Sequence, residues 1–342
     1  MPTLDIFRAD PFSVVSLTDA INKVKFVPGH IGRLGLFNTT SVATLTVAIE
    51  EKNGILTLVS PTPRGGPGQT TDKAKRSLRN LTIPHFQIDD SVMADEVQGI
   101  RAFGTESEVE TVMGKVAGRM MEHSQSFAAT EEYHRVGAIK GIVTYADGTE
   151  LNLFDEFGVA QETEIDFDLD NANPTGGVLR KKCAAVYRQM AGILEGVPFS
   201  GVRAICGDAF FDDLIAHPEV RATYLQQQAA SELRRGYVDD GSSGVFGTFS
   251  FGDILWENYR GAVGSTSYVN TDKCHLFPTN APGLFRTVYG PADYIETVNT
   301  LGKRLYMKPI VMPNDKGVSL EVQSNALQYC TRPKVLIQGK RT

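Results

Sequence analysis

One stretch constrains what this chain can fold into more than any other: Thr105 to Lys140. No proline occurs between Pro84 and Pro174, so nothing in that interval forces a helix to break. Thr105 with Glu108 fits a capping box, in which each side chain satisfies an orphan N–H of the first turn. Glu106, Glu108 and Glu110 place negative charge near the positive end of the helix dipole. Val109, Val112, Val116, Met120 and Phe127 recur at spacings of three, four and seven and mark one apolar face. Lys140 followed by Gly141 supplies a stop. At 1.5 Å per residue the stretch predicts a rod of roughly 50 Å, much longer than the average helix of a globular domain. The stripe weakens after Phe127, where Glu131, Glu132, His134 and Arg135 offer little apolar face. Gly114, Gly118 and Gly137 each cost about 1 kcal/mol relative to alanine. One long helix, straight or bent, is the expectation; two shorter helices meeting near Thr130 are the alternative.

A chain of 342 residues can bury a large core and is expected to divide into two domains. Its formal net charge of −6 argues against a protein that grips duplex DNA by its phosphates, though not against one that encloses DNA. Cys183, Cys206, Cys274 and Cys330 are scattered without a C-x-x-C pair, which suggests neither a disulfide framework nor a zinc knuckle. A reducing, cytosolic place of synthesis follows. Met1 to Asp5 lacks the basic region and apolar core of a signal peptide, and no apolar run approaches the eighteen or so residues of a membrane span.

Residues 1 to about 40 read as an extended arm: Ile6-Phe7, Val14-Val15 and Phe26-Val27 are short apolar pieces separated by Pro11 and Pro28-Gly29, with a short helix at Leu17 to Asn22. Leu45, Val47 and Ile49 then alternate with Thr44, Thr46 and Ala48, and Leu56 and Leu58 alternate after Asn53-Gly54, a strong hairpin-turn signal. Pro61 to Gln69 is a loop, followed by a basic run (Lys73, Lys75, Arg76, Arg79) and an extended piece through Leu81, Ile83, Phe86 and Ile88. Strand, loop and strand over 43–88 predict a projecting hairpin with a mobile tip. After the spine, Val143 and Tyr145, then Leu151 and Leu153, flank Asp147-Gly148 as a second hairpin with a two-residue turn. Ile165, Phe167 and Leu169 alternate with acids from Glu164 to Asp170, a half-buried strand. Asn173 to Gly177 breaks the chain and marks a domain boundary. Helices are expected at Val178 to Leu194, Asp208 to Ala216 and Pro218 to Arg235, with strands at Gly201 to Cys206, Phe246 to Tyr259, His275 to Pro278, Arg304 to Val311, Val318 to Val322 and Val335 to Ile337. Asp239 to Gly244 reads as a flexible loop.

No constellation for catalysis emerges. Arg64 to Gly68 is glycine-rich but lacks the Gly-Lys-Ser/Thr ending of a phosphate loop and opens no helix. Asp166, Asp168 and Asp170 begin like a calcium loop, yet its sixth position is Asn171 and its twelfth Gly177; an acidic strand face is the better reading. Cys274-His275 with His217 or Cys206 matches no zinc spacing. His123 and His134, eleven residues apart, read as surface or packing residues, and Trp256 as core. No cofactor or metal is expected.

Val27-Pro28-Gly29-His30-Ile31-Gly32-Arg33-Leu34-Gly35-Leu36-Phe37, Thr46 to Glu51, Pro63 to Gly68, and Ala94 to Gly104 resemble the phage and prophage major capsid protein E family, the lambda-type coat proteins. The similar wording is densest over residues 17–105. The resemblance implies an α+β chain with the Hong Kong 97-type capsid fold and a structural role, not an enzymatic one. It implies an N-terminal arm (1–42), an extended loop (43–90), a peripheral domain (91–170) carrying the spine, an axial domain (171–300), and a return to the peripheral domain (301–342). Copies would assemble through pentamers and hexamers into an icosahedral shell around double-stranded DNA. Decoration, scaffold and portal proteins would be partners, and the protein would reside in the virion capsid. Asn53, Gly54, Arg64, Gly65, Gly66, Pro67, Gly68, Lys73, Lys75 and Arg76 on the extended loop are the candidate inter-subunit contacts. An encapsulin-like compartment shell, and a soluble α/β enzyme using residues near His217 or Cys274, are the competing readings.

Overall fold

The structure is a computed structural model that describes residues 18–19, 21–22, 29–52, 76–96, 112–171, 173–225, 245–263, 266–312 and 316–342. In chain order the elements are α1 (His30–Arg33), β1 (Phe37–Ser41), β2 (Thr46–Lys52), β3 (Arg76–Thr82), β4 (Phe86–Met93), α2 (Val112–Lys140), β5 (Ile142–Thr144), β6 (Glu150–Asn152), α3 (Leu153–Phe157) and β7 (Ile165–Asp166). They continue with α4 (Val178–Leu194), β8 (Gly201–Cys206), α5 (Asp208–Ala216), α6 (Pro218–Leu225), β9 (Val245–Phe251), β10 (Ile254–Tyr259), β11 (Ala262–Val263), β12 (Thr266–Ser267), β13 (Lys273–Thr279) and β14 (Phe285–Tyr289). The last are β15 (Tyr306–Val311), β16 (Gly317–Ser324), β17 (Ala326–Cys330) and β18 (Ile337–Lys340).

The spine α2 is one unbroken helix of 29 residues through Thr130, about 43 Å long at 1.5 Å per residue. The capping box at Thr105 and Glu108 lies outside the described residues. Gly141 ends the helix at φ +83°, where only glycine is relaxed and where a Cβ would meet the Phe154 ring at 2.4 Å. Gly137, a helix-weakening residue by propensity, lets β5 fold back against the helix: a Cβ there would lie 2.9 Å from Val143 Cα. Two cores share this rod. Val116, Met120 and Phe127 of its first half pack with Val92, Met307, Val318, Leu320 and Val322 of the sheet β15-β16-β4. Val136 and Ile139 of its second half belong to the main core of the molecule.

That main core is built on a six-stranded mixed sheet, order β7-β18-β13-β8-β10-β9. The amphipathic helix α4 contributes Leu179, Cys183, Val186, Met190 and Leu194, and α5 contributes Phe210, Phe211, Leu214 and Ile215. Trp256 is fully buried, edge-on to Phe167 and stacked on Phe210, and its Nε1 donates to the Phe251 carbonyl at 3.1 Å. Helix α4 starts at Gly177 with no side-chain cap of its own; the Glu219 carboxylate of α6 accepts from the Leu179 and Arg180 N–H groups at 3.1 and 3.3 Å instead.

Several expectations need correction. The partner found for β2 is β3, in a ladder from Thr46↔Thr82 to Lys52↔Arg76, and the turn at Asn53-Gly54 lies outside the described residues, as does Asp239 to Gly244. The hairpin after the spine turns through three residues rather than two. Tyr145 N donates to Thr149 O at 2.8 Å, Gly148 N donates to Tyr145 O at 3.0 Å, and Gly148 is at φ +84°. The strand expected over Glu164 to Asp170 is only two residues long, because Asp168 turns to φ +58° with its N–H on the Asp166 carboxylate. Phe167 and Leu169 are nonetheless buried and their N–H groups reach the Lys340 and Arg341 carbonyls. Phe246 to Tyr259 is a hairpin, β9-β10, turned by Gly252 and Asp253, both at φ +62°. Val335 lies in a 3-10 turn, and the strand β18 that follows joins the six-stranded sheet beside β13 and β7.

Candidate functional site

Of the candidate contact residues, Asn53, Gly54, Arg64, Gly65, Gly66, Pro67, Gly68, Lys73 and Lys75 lie outside the described residues. Arg76 opens β3 opposite Lys52. What the structure does show is how the root of this hairpin is fixed. Val47, Leu81 and Ile83 are buried there, and Arg79 Nη1 donates to the Glu156 carbonyl at 2.6 Å beside Gly158, which sits at φ +60°. An open groove of about 540 Å³ separates the root from the body, lined by Val47, Ile49, Phe157, Ile193, Leu284 and Pro333 among others.

A second junction ties the arm to the spine and the main sheet. Glu132 is buried; its Oε1 accepts from Ile31 N at 2.6 Å and from Tyr259 Oη at 3.1 Å, and its Oε2 accepts from Gly32 N at 3.1 Å. The carboxylate thus caps the short helix α1, whose own N-cap, Gly29, has no side chain to do so. Gly29 is required there: a Cβ would lie 2.3 Å from the Glu132 carboxyl carbon. His30 Nε2 lies 2.9 Å from Glu257 Oε2, and the other oxygen of Glu257 accepts from Arg203 Nη1. Burial and the neighbouring Glu132 carboxylate push the Tyr259 hydroxyl up, so it stays a donor.

One residue earlier, Glu131 pairs with Arg304 Nε at 2.9 Å and Arg135 Nη2 at 3.2 Å. Burial raises its pKa even though both guanidinium groups oppose the shift. His134 forms a three-ring cluster with Phe86 and Tyr145, its ring centroid 5.1 and 5.2 Å from theirs, and burial drives its pKa down to about 4. The spine's polar stretch is therefore an interior one. Only the pairing with Arg135 is local; the other partners of Glu131 and Glu132 stand about a hundred residues or more away at Ile31, Gly32, Tyr259 and Arg304, where sequence spacing gives no sign of them.

The groups weighed for catalysis are placed structurally. Cys274 faces Cys206 across the β13-β8 ladder with its thiol pushed up by burial, and burial lowers the neighbouring His275 to about 3. His217 Nδ1 accepts from Glu219 N at 3.3 Å at the start of α6, and His123 Nε2 lies 2.8 Å from Asp90 Oδ2. Among the described residues no three His, Cys, Asp or Glu side chains could hold a metal, and no helix is long and apolar enough to cross a membrane.

A spine shared by two cores, a segment from Gly29 strapped to it and a hairpin rooted beside a mixed α/β body make up a Hong Kong 97-like capsid fold. The fold is similar to that of the putative capsid protein of a prophage of E. coli CFT073, with a TM-score of 0.61 at 15% identity, covering 96% of this chain and 99% of that one. It is also similar to the capsid of Ralstonia phage GP4, with a TM-score of 0.52 at 10% identity and 93% of each chain covered. Two relatives are similar over nearly their whole length. The major capsid protein of Salmonella phage Felix O1 is 28% identical over 95% of each chain, and that of Pseudomonas phage KPP10 is 27% identical over 96% of this chain and 97% of its own. The model of the family described as phage major capsid protein E matches residues 13–341. The chain belongs to that family, and its role is structural, in the capsid of a virion, rather than enzymatic.

Proposed function

We propose that copies of this chain assemble through pentamers and hexamers into an icosahedral shell enclosing double-stranded DNA. The observation that carries the reading is the family match from residue 13 to residue 341. The fold is consistent with it: β2 and β3 form a sheet of two strands only, and such a ribbon gains stability when a neighbouring subunit covers it. A net charge of −6 suits a container whose lining must let DNA slide rather than hold it.

In this reading residues 1–42 are the N-terminal arm, 43–90 the extended loop, 91–170 the spine-bearing peripheral domain and 171–300 the axial domain. Residues 301–342 return to the peripheral domain, β15 and β16 lying in one sheet with β4, while β18 runs between β7 and β13 of the six-stranded sheet. The extended-loop residues Asn53, Gly54, Arg64 to Gly68, Lys73, Lys75 and Arg76 contact the neighbouring subunit. Decoration, scaffold and portal proteins are the expected further partners. Electron microscopy and sedimentation of the protein, expressed alone or with its neighbouring genes, test the reading. Closed shells or five- and six-membered rings are expected; a discrete monomer or dimer under all assembly conditions would overturn it.

A further inference from the structure

The loop 291–302 between β14 and β15 has two unlike sides. Its inner side is tightly determined. Ala292 and Tyr294 form a small cluster of their own with Tyr306. Thr297 Oγ1 lies 2.8 and 2.9 Å from the Ala292 and Tyr294 carbonyls, Asp293 N donates to Gln323 Oε1 at 3.0 Å, and Lys303 N donates to Tyr306 Oη at 2.8 Å. Gly302 N donates to the Val42 carbonyl at 3.0 Å, and a Cβ on Gly302 would lie 2.2 Å from the Tyr289 carbonyl, so the loop is pinned to the start of the hairpin.

The outer side is apolar. Ile295, Val298 and Leu301, three residues apart, are 91%, 62% and 66% exposed, and Leu45, in the segment to which Gly302 is tied, is 68% exposed. A loop held this firmly has no folding reason to present three large apolar side chains to water, with Leu45 of the adjoining segment exposed as well, and such exposure marks an interaction surface. The charges beside it are already matched: Lys308 Nζ lies 3.1 and 3.2 Å from the Glu296 oxygens, and Lys303 Nζ 2.7 Å from Asp19. This rim offers little to a polyanion and suits an apolar partner.

We propose that this surface is a contact to a second copy of the chain within the shell; the inference rests on the shell reading above. Its size decides between a second copy and an independent partner. Four side chains are far fewer than the roughly 20–30 residues per side of a stand-alone interface. Such a contact cannot hold two free subunits together, but it adds to a lattice in which each copy is held at several places at once.

The test is the double variant Val298→Asp/Leu301→Asp of the full chain, expressed under conditions in which the unaltered chain gives closed shells. Exposed positions of this kind have little effect on folding, so circular dichroism and melting of the subunit are expected to match the unaltered chain. Shell yield by sedimentation is expected to fall about tenfold or more, as a buried charge worth at least 1.4 kcal/mol per contact requires. In parallel, Val298→Cys shells built from mixed isotope-labelled and unlabelled chains are treated with a thiol-to-amine cross-linker. Cross-links joining labelled to unlabelled chains are expected. Unchanged shell yield from the double variant, or cross-links confined to one chain, such as to the α-amine of Met1, would overturn the contact while leaving the shell reading intact. No shells from the unaltered chain would remove both.

Discussion

The carboxylate of Glu132 holds three parts of the chain at one point: the arm through Ile31 and Gly32, the spine on which it stands, and the main sheet through Tyr259. Glu132→Ala removes the acceptor for all three donors and leaves Arg135 less well paired. The expected loss is about 1–3 kcal/mol for each buried donor left without an acceptor, read as a lower urea midpoint. Gly29→Ala acts at the same spot from the other side, since the new methyl would overlap the Glu132 carboxyl group. It is expected to weaken the strap, seen as faster proteolysis of the arm. His134 gives the molecule a pH dependence. The unfolded chain takes up a proton near pH 6.5, and the folded chain refuses it until about pH 4. The unfolded state therefore binds more protons in that window, so stability is complete above it and declines as pH falls through it, by up to about 3 kcal/mol. His275, lowered to about 3, extends the decline to more acid pH. His134→Phe keeps a ring packed against Phe86 and Tyr145 and is expected to flatten the slope between urea midpoints at pH 7 and pH 5; an unchanged slope would assign it to other groups.

At the scale of elements, local signals were legible where the partner is near in sequence. Helices α4 and α5 begin and end where apolar periodicity puts them, and Gly141 stops the spine as its position predicts. Val116, Met120 and Phe127 are buried along one face, as their spacing requires. Long-range physics hid the rest. Glu131, Glu132 and Arg135 have the composition of a solvated face, and beyond their local pairing it is partners supplied by distant segments that make their burial tolerable. Strand β17, every residue of which is buried, shows no alternation to read because both its faces are covered. Two element-scale outcomes are expected. Val116→Asp places an unpaired charge in the core formed with β4 and β16, and is expected to abolish folding; a soluble variant with a cooperative melt would contradict that. Deleting residues 60–69, beyond the rooted part of the hairpin, is expected to leave a soluble subunit that makes no closed shells. Normal shells from it, seen by electron microscopy, would remove those residues from the assembly contacts.

The whole molecule is organised by a rod common to two cores. The first half of α2 belongs to the cluster under β15-β16-β4 and the second half to the main core. One continuous helix runs from one core into the other and couples them, so the subunit is expected to melt in one calorimetric transition rather than two. Burial of further surface in assembled copies is expected to raise that transition in shells above its value in free subunits. The same sharing makes α2 a mechanical member. A push on one body reaches the other along the helix axis, and the turns from Phe127 to Val136, where Glu131, Glu132 and Arg135 brace the rod against arm and sheets, decide whether the load bends the beam or turns the molecule as a whole.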